Sequence, residues 1–243
     1  MKLIEIMKER LSRYDDTHNF ICDNCGEEVF DGKRLCKNCK EALPYNDQVI
    51  CPFCGRRVRE EGVCLECKQK PLETKKARSL WVHEGDAVKL VRLYKTGSKY
   101  LFRLFVEELT PLVLREFDDA DAITFVPMTK KAEKERGYNQ TLLVAEGLAE
   151  RTGKELLCVT EKKHETEDQQ GLTREKREEN MREAFKVTDK KAVKGRRILL
   201  VDDTLTTGAT ASALAAVLKK SGADTVYLIT ATSVEKKNAF GIK

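Results

Sequence analysis

The chain has neither of the common glycine-rich phosphate loops. No G-x-x-x-x-G-K-[ST] run and no G-x-G-x-x-G fingerprint occurs in its 243 residues, which removes the main sequence support for nucleoside triphosphate hydrolysis and for dinucleotide binding. Nor does any apolar run approach the roughly 18 to 20 residues that a membrane-spanning helix needs. No secretory apolar core with a small-residue cleavage site opens the chain. Leu3, Ile6, Met7 and Leu11 stand instead at helical spacing among charges, so residues 1–20 read as an amphipathic helix packed on the body or on a partner. Without an export signal the protein is expected in the cytoplasm, with reduced thiols. A strong excess of one charge is missing too: 45 Lys and Arg against 40 Asp and Glu leave a formal net charge of +5, short of the balance of a dedicated nucleic-acid binder.

What is present is unevenly distributed. Residues 1–77 hold eight of the nine cysteines and few long apolar runs, whereas 78–232 alternate apolar with charged segments. A boundary near Thr74–Ala77 separates a cysteine-rich head over 21–74 from a second domain over 78–243. In the head, Cys22-x-x-Cys25 is followed after ten residues by Cys36-x-x-Cys39, and Cys51-x-x-Cys54 after nine residues by Cys64-x-x-Cys67. Four thiols per unit, twice, fit two structural zinc ions in a double ribbon. Gly26 and Gly55 let the backbone fold around each metal. Disulfides are disfavoured by the compartment, and a redox pair by the repetition of the spacing. So small a segment has little apolar surface to bury, and zinc worth on the order of 10–16 kcal/mol must supply much of its fold. Lys33, Arg34, Arg56, Arg57 and Arg59 are available in the head for phosphate contacts with nucleic acid. A plain scaffold role for the head is the standing alternative. Cys158, alone in the run Leu156–Val159, reads as a small core residue.

The body alternates strands and helices. Strands are expected over 78–82, 122–126, 156–160, 198–201 and 225–230. The helices between them have Ala87, Leu90, Val91 and Tyr94 on one face, then Leu101, Leu104 and Phe105 running toward Pro111, then Leu142, Ala145 and Ala149 ending at Gly153. Trp81 is expected in the core. The pattern is α/β: a mostly parallel sheet with helices on both faces, and ligands at the carboxyl ends of its strands.

The most telling stretch is Ile198–Thr210. A buried strand ends in Asp202-Asp203, and a hydroxyl-rich turn with one glycine then feeds a helix patterned Ala211, Leu214, Ala215 and Leu218. Carboxylates can accept hydrogen bonds from vicinal sugar hydroxyls, and a helix start favours an anion. The segment therefore reads as a holder for a phosphorylated sugar. The loop after Val126-Pro127 brings Lys130, Lys131 and Arg136 to the same end of the sheet, where they would meet pyrophosphate. Glu161–Asn180, long and charged, reads as a closing lid or as a disordered loop.

These residues resemble the signature of the type I phosphoribosyltransferases, which bind 5-phosphoribosyl-1-pyrophosphate (PRPP). The resemblance implies that Asp202 and Asp203 bond the ribose hydroxyls, with Thr204 beside them, and that Thr206, Thr207, Gly208, Ala209 and Thr210 cradle the 5-phosphate. It extends further. Tyr94-Lys95-x-Gly97, then Val126-Pro127 with Arg136-Gly137-Tyr138-Asn139-Gln140, then Gln170-Gly171-Leu172-Thr173-Arg174 with Arg177 and Asn180, look like successive blocks of the ComF-type competence proteins, as does the cysteine head. That family implies a phosphoribosyltransferase-like domain behind a zinc element, associated with natural transformation and single-stranded DNA. It implies as partners PRPP with magnesium, single-stranded DNA, and a DNA-uptake helicase or other competence proteins. Asp202, Asp203 and Arg136 are then the candidate catalytic residues, with Lys130, Lys131, Arg174 and Arg177 on the pyrophosphate and lid side. Turnover and ligand sensing both stay open, because no side chain identifies an acceptor.

Overall fold

The computed structural model describes residues 20–164 and 181–235. The helix expected over 1–20 and the segment 165–180, with Gln170, Arg174, Arg177 and Asn180, lie outside these residues.

The head consists of two alike units. In each, a bridge flanks the cysteine knuckle, Ile21 with Glu28 and Ile50 with Arg57. The third cysteine of each quartet then caps a short helix: Cys36 sulfur accepts the Cys39 amide at the start of α1 (Lys37–Ala42), and Cys64 does the same for Cys67 at α2 (Leu65–Gln69). Ligand geometry and helix capping are thus met by the same atom.

The body is a five-stranded parallel sheet in the order β1-β7-β6-β2-β3, formed by Lys76–Val82, Thr225–Ser233, Arg197–Leu205, Ala122–Phe125 and Glu155–Leu156. One face is covered by α3 (Gly85–Lys95), α4 (Phe102–Glu116) and α6 (Gln140–Thr152), whose buried residues pack on Leu199, Val201, Tyr227 and Ile229. The other face is covered by α8 (Ala209–Lys220), whose Ala211, Leu214, Ala215 and Leu218 pack on Ile198, Leu200, Val226 and Leu228. Between them α5 (Lys130–Arg136) follows β2, and a small antiparallel pair, β4 (Thr160–Lys162) with β5 (Phe185–Val187), precedes the one-turn α7 (Lys190–Val193).

The expected core and helical faces are observed, Trp81 included, which is fully buried against Phe105 with ring centroids 5.8 Å apart. Three details differ. Helix α4, expected to run toward Pro111, continues past it to Glu116, with the proline on the exposed face and Leu109, Leu112 and Val113 buried on either side. The stretch 156–160 is not one strand: it splits into β3 and β4, with Leu157 and Val159 turned inward and Cys158 outward, so Cys158 is exposed and not a core residue. The segment that was to begin its loop at Glu161 still pairs through Lys162 with Phe185.

The head is seated on the body. The Ala77 amide donates to Phe53 carbonyl at 2.7 Å, the Asn46 amide to Leu80 carbonyl at 2.9 Å, and the Val82 amide to Pro44 carbonyl at 2.8 Å. Pro44 to Asn46 and the second knuckle thereby cover the open edge of β1. At Gly55 the approach is so close that a Cβ would stand 2.3 Å from the Ala77 carbonyl oxygen.

Candidate functional site

Winding reverses between β6 and β2: β2 leads through α6 outward to β3, whereas β6 leads through α8 the other way to β7. Their carboxyl ends open a crevice at this switch point, where such sheets bind ligands. Strand β6 carries the acid pair there, but it runs past Val201 to Leu205, so Asp202 and Asp203 are ladder residues and not the start of a turn. The reason is β7, whose equally long run Thr225–Ser233 pairs Asp202 with Thr230, Thr204 with Thr232 and Leu205 with Ser233. Backbone pairing is indifferent to the polarity of the side chain between.

Asp203 is held from three elements. Lys95, the last residue of α3, donates to Oδ1 at 2.7 Å, and Gln140, the first residue of α6, donates to Oδ2 at 2.9 Å. Arg136, the last residue of α5, donates to Gln140 Oε1 at 2.5 Å and so reaches the acid through the amide. This corner is rigid for local reasons. Gly137 ends α5 at φ 84°, and Asn139 caps α6 by accepting the Thr141 and Leu142 amides. Tyr94 donates to Gln140 carbonyl at 2.6 Å, Tyr138 donates to Tyr94 carbonyl, and Thr141 hydroxyl ties the start of α6 to Val126 carbonyl at 2.6 Å.

Asp202 has a different environment. Burial, and then the charge of Asp203, push its carboxyl up to about 8; the Asp203 amide, donating to Oδ1 at 2.8 Å, and the Lys95 charge only partly offset this. Both carboxylates line a cavity of about 10 Å³ that continues inward between Tyr94, Phe105 and Val144. Lys95 thus pairs with Asp203, while burial favours the protonated form of Asp202.

The turn after β6 leads straight into a helix start. Gly208 at φ 82° starts α8, and Thr207 hydroxyl accepts the Ala209 amide at 3.2 Å. Among the described residues no acceptor meets the amides of Thr207, Gly208, Thr210 and Ala211. Thr206 and Thr207 are exposed. Thr204 faces β7 instead, where its hydroxyl accepts from Thr232 at 3.3 Å and Thr232 meets His83 Nδ1 at 2.9 Å. Lys130 and Lys131 are exposed in the first turn of α5 and touch neither aspartate among the described residues. The loop expected after Val126-Pro127 is in fact α5, which ends at Gly137 and leads directly into α6. Arg174 and Arg177 lie outside the described residues.

The eight cysteines of the head gather as two quartets, Cys22, Cys25, Cys36 and Cys39, then Cys51, Cys54, Cys64 and Cys67, with all sulfurs of a quartet within 4.8 Å of one another. Cys25 and Cys36 sulfurs are 3.7 Å apart, and Cys54 and Cys64 are 3.6 Å apart. A tetrahedron with Zn–S of about 2.3 Å requires edges of about 3.8 Å, so the donor sets fit zinc. Of the head's basic residues, Arg34 and Arg56 are buried and Arg57 donates to Tyr45 carbonyl at 3.1 Å, so these three turn inward and are not available for phosphate contacts. Lys33, in a surface pair with Asp31 at 2.9 Å, and Arg59 are exposed.

The positions of Lys95 and Gln140 could be placed in a familiar block from the sequence, but their grip on Asp203 could not. Neither could Arg56, whose guanidinium bonds Glu66 at 2.7 Å and also donates to the Thr206 carbonyl.

Residues 19–68 match the double zinc ribbon domain family, and residues 139–239 match the phosphoribosyl transferase domain family. The chain is 27% identical to Competence protein ComFC of Bacillus subtilis, over 78% of this chain and 80% of that one. It is 28% identical to DNA utilization protein YhgH of Escherichia coli O157:H7, over 80% and 88% of the two chains. It is 27% identical to Competence protein F of Haemophilus influenzae, over 86% and 95%. A double zinc ribbon followed by a phosphoribosyl transferase domain defines the class. With relatives of these names, the chain fits the ComF-type family.

Proposed function

We propose that the chain binds PRPP in the crevice between β6 and β2 and acts in DNA uptake and the handling of single-stranded DNA. The observation that carries the ligand reading is the junction of Asp202 and Asp203 with a loop of free amides inside one strand-to-helix turn. Sugar hydroxyls would be taken by the acids and the 5-phosphate by the amides of Thr207, Gly208, Thr210 and Ala211. Lys95, bonded to Asp203, and Arg136, on its Gln140 link, are the basic residues tied into the site, and Arg136 would receive pyrophosphate with Lys130 and Lys131 of the same short helix. The oxygen donors of the two aspartates suit a hard cation, and magnesium arriving with the ligand would supply positive charge to a departing pyrophosphate. In a transferase step the bond between C1 and pyrophosphate breaks as the acceptor's bond to C1 forms, and Asp203, paired with Lys95, faces the positive charge growing on the ring.

A second reading is supported by the seating of the second ribbon on the phosphate loop: the pocket senses PRPP and passes its state to a nucleic-acid-binding head, with no turnover. The role in DNA handling is suggested by what the relatives are called.

Titration calorimetry with magnesium and PRPP tests the site. Asp202→Asn with Asp203→Asn should lose at least tenfold in affinity, since charge-assisted hydrogen bonds are worth roughly 1.5–3 kcal/mol; equal affinity refutes it. Pyrophosphate release with a panel of bases and nucleotides separates transferase from sensor. For the DNA role, single-stranded DNA affinity should fall with salt, and Arg59→Ala in the full chain should flatten the log–log slope by about one unit. A salt-independent affinity would exclude it.

A further inference from the structure

The second ribbon touches the body at one place that matters chemically. Arg56 follows the ligand Cys54 by two residues, and its carbonyl accepts the amide of the ligand Cys51 at 2.9 Å, so its backbone belongs to the metal knuckle. Its side chain leaves the ribbon almost wholly buried, at 4% exposure. One guanidinium nitrogen is held by Glu66, which lies between ligands Cys64 and Cys67, at 2.7 Å. The other donates to the carbonyl of Thr206, 150 residues away in the phosphate loop. That carbonyl belongs to the peptide group whose N–H is on Thr207, an amide with no acceptor in the described protein. A buried cation bonded to the oxygen of a peptide polarises it and strengthens the N–H on its far side as a donor.

A second contact comes from the same ribbon. Leu72, just beyond α2, packs both on the cluster of Cys51, Cys54 and Cys67 and on the body cluster beneath α8. It fills the space under Gly208, where a Cβ would stand 2.4 Å from Leu72 Cδ2. The neighbouring Glu73 amide donates to Ser212 hydroxyl in α8 at 3.3 Å. Among the described residues the first ribbon makes no contact with the phosphate loop. It packs Val29, Leu35 and Leu43 against α3 and α4, bonds Asp86 at 2.7 Å and Lys89 at 2.8 Å through Asn24, and bonds Glu108 at 3.0 Å through Lys40.

We propose that Arg56 is a positioning residue for the phosphate loop, through which metal in the second ribbon and a sugar 5-phosphate in the crevice favour each other, while the first ribbon's metal is independent of the ligand. This rests on the reading of the Thr206–Ala209 turn as the phosphate holder. Linkage makes the effect reciprocal: whatever the filled ribbon adds to ligand affinity, bound ligand adds to metal retention.

The test uses the full zinc-loaded chain with ribose 5-phosphate, which engages the loop without a leaving group. Release of zinc to a chromogenic chelator should show two phases, and saturating ribose 5-phosphate should slow one of them several-fold and leave the other unchanged. Calorimetry should show Arg56→Gln, with two zinc ions per chain, binding ribose 5-phosphate on the order of tenfold more weakly. Arg56→Lys, which cannot bridge both Glu66 and Thr206, should do the same. Leu72→Ala, which leaves Arg56 in place, checks the loop independently and should also weaken binding. If the unaltered protein binds ribose 5-phosphate but both zinc phases ignore it, or if zinc-replete Arg56→Gln binds as tightly as the parent, the coupling is refuted and the site stands. If the unaltered protein binds neither ribose 5-phosphate nor PRPP, the site reading falls and the coupling with it.

Discussion

Replacing Asp202 by Asn should stabilise the ligand-free protein, and by more at high pH than at low. In the fold the acid is pushed up to about 8 by burial and by the charge of Asp203, from an ordinary value of 3.8. A group so raised favours the fold fully below about pH 4, and that contribution is lost progressively up to about pH 8, because the unfolded chain then ionises the acid and the native one resists. Taken alone, the displacement corresponds to on the order of 5 kcal/mol. The crevice is open at one end and Asp202 is not fully shut from water, so about half is a fairer expectation. The amide retains the oxygen that accepts the Asp203 amide, so little else changes. The advantage of Asp202→Asn should therefore grow by about 1 kcal/mol between pH 5 and pH 9, or about 2–4 °C in melting temperature for a chain of this size. Thermal melts of both proteins, zinc-saturated and without ligand, measure it. A difference that is flat across that range, or that shrinks toward high pH, would show that Asp202 is already ionised in the fold and would remove the proton from this site.

The same acid predicts that binding a sugar with vicinal hydroxyls releases protons, and more of them as the pH is lowered from 7 toward 5.5, seen as a binding heat that changes with the ionisation enthalpy of the buffer; no buffer dependence across that range counts against it. Gly208→Ala forces a side chain onto φ 82° and into Leu72, and should cost roughly 1–3 kcal/mol and abolish phosphate binding, as read by melting and calorimetry. Gly147→Ala sets a Cβ 2.5 Å from Val106 Cγ2 where α6 lies on α4, and should destabilise by roughly 1–3 kcal/mol with partial rescue by Val106→Ala. Chelating zinc should unfold both ribbons together with their short helices, which circular dichroism follows; retention of the full signal at complete zinc loss would contradict a metal-built head.

Much of this architecture is legible in the sequence because it is periodic. Leu90, Val91 and Tyr94, or Leu214, Ala215 and Leu218, declare their faces by spacing, and the cysteine pairs declare their metal by arithmetic. What spacing cannot carry is where a strand stops once its residues turn polar. Asp202 to Leu205 remain in the sheet because β7 offers partners opposite, and that is a property of two segments read together. The same holds for the site. Asp203 is an evident acid, but Lys95, Gln140 and Arg136 converge on it from three helix ends separated by up to 108 residues of chain. Arg34 and Arg56 misled because charge alone does not say which side of a small domain it faces.

The bond from the Ala77 amide to Phe53, the seat of Gly55 against the same residue, and the bridge from Tyr45 to Trp81 have a practical meaning for anyone dividing this protein. A fragment beginning at β1 would present a bare, largely apolar strand to its neighbours, and such a strand recruits other chains into open-ended assembly. Joining the ribbons to another body would leave their inner surface equally uncovered, so the unit that can be inherited or transplanted is the whole chain from the first knuckle to β7.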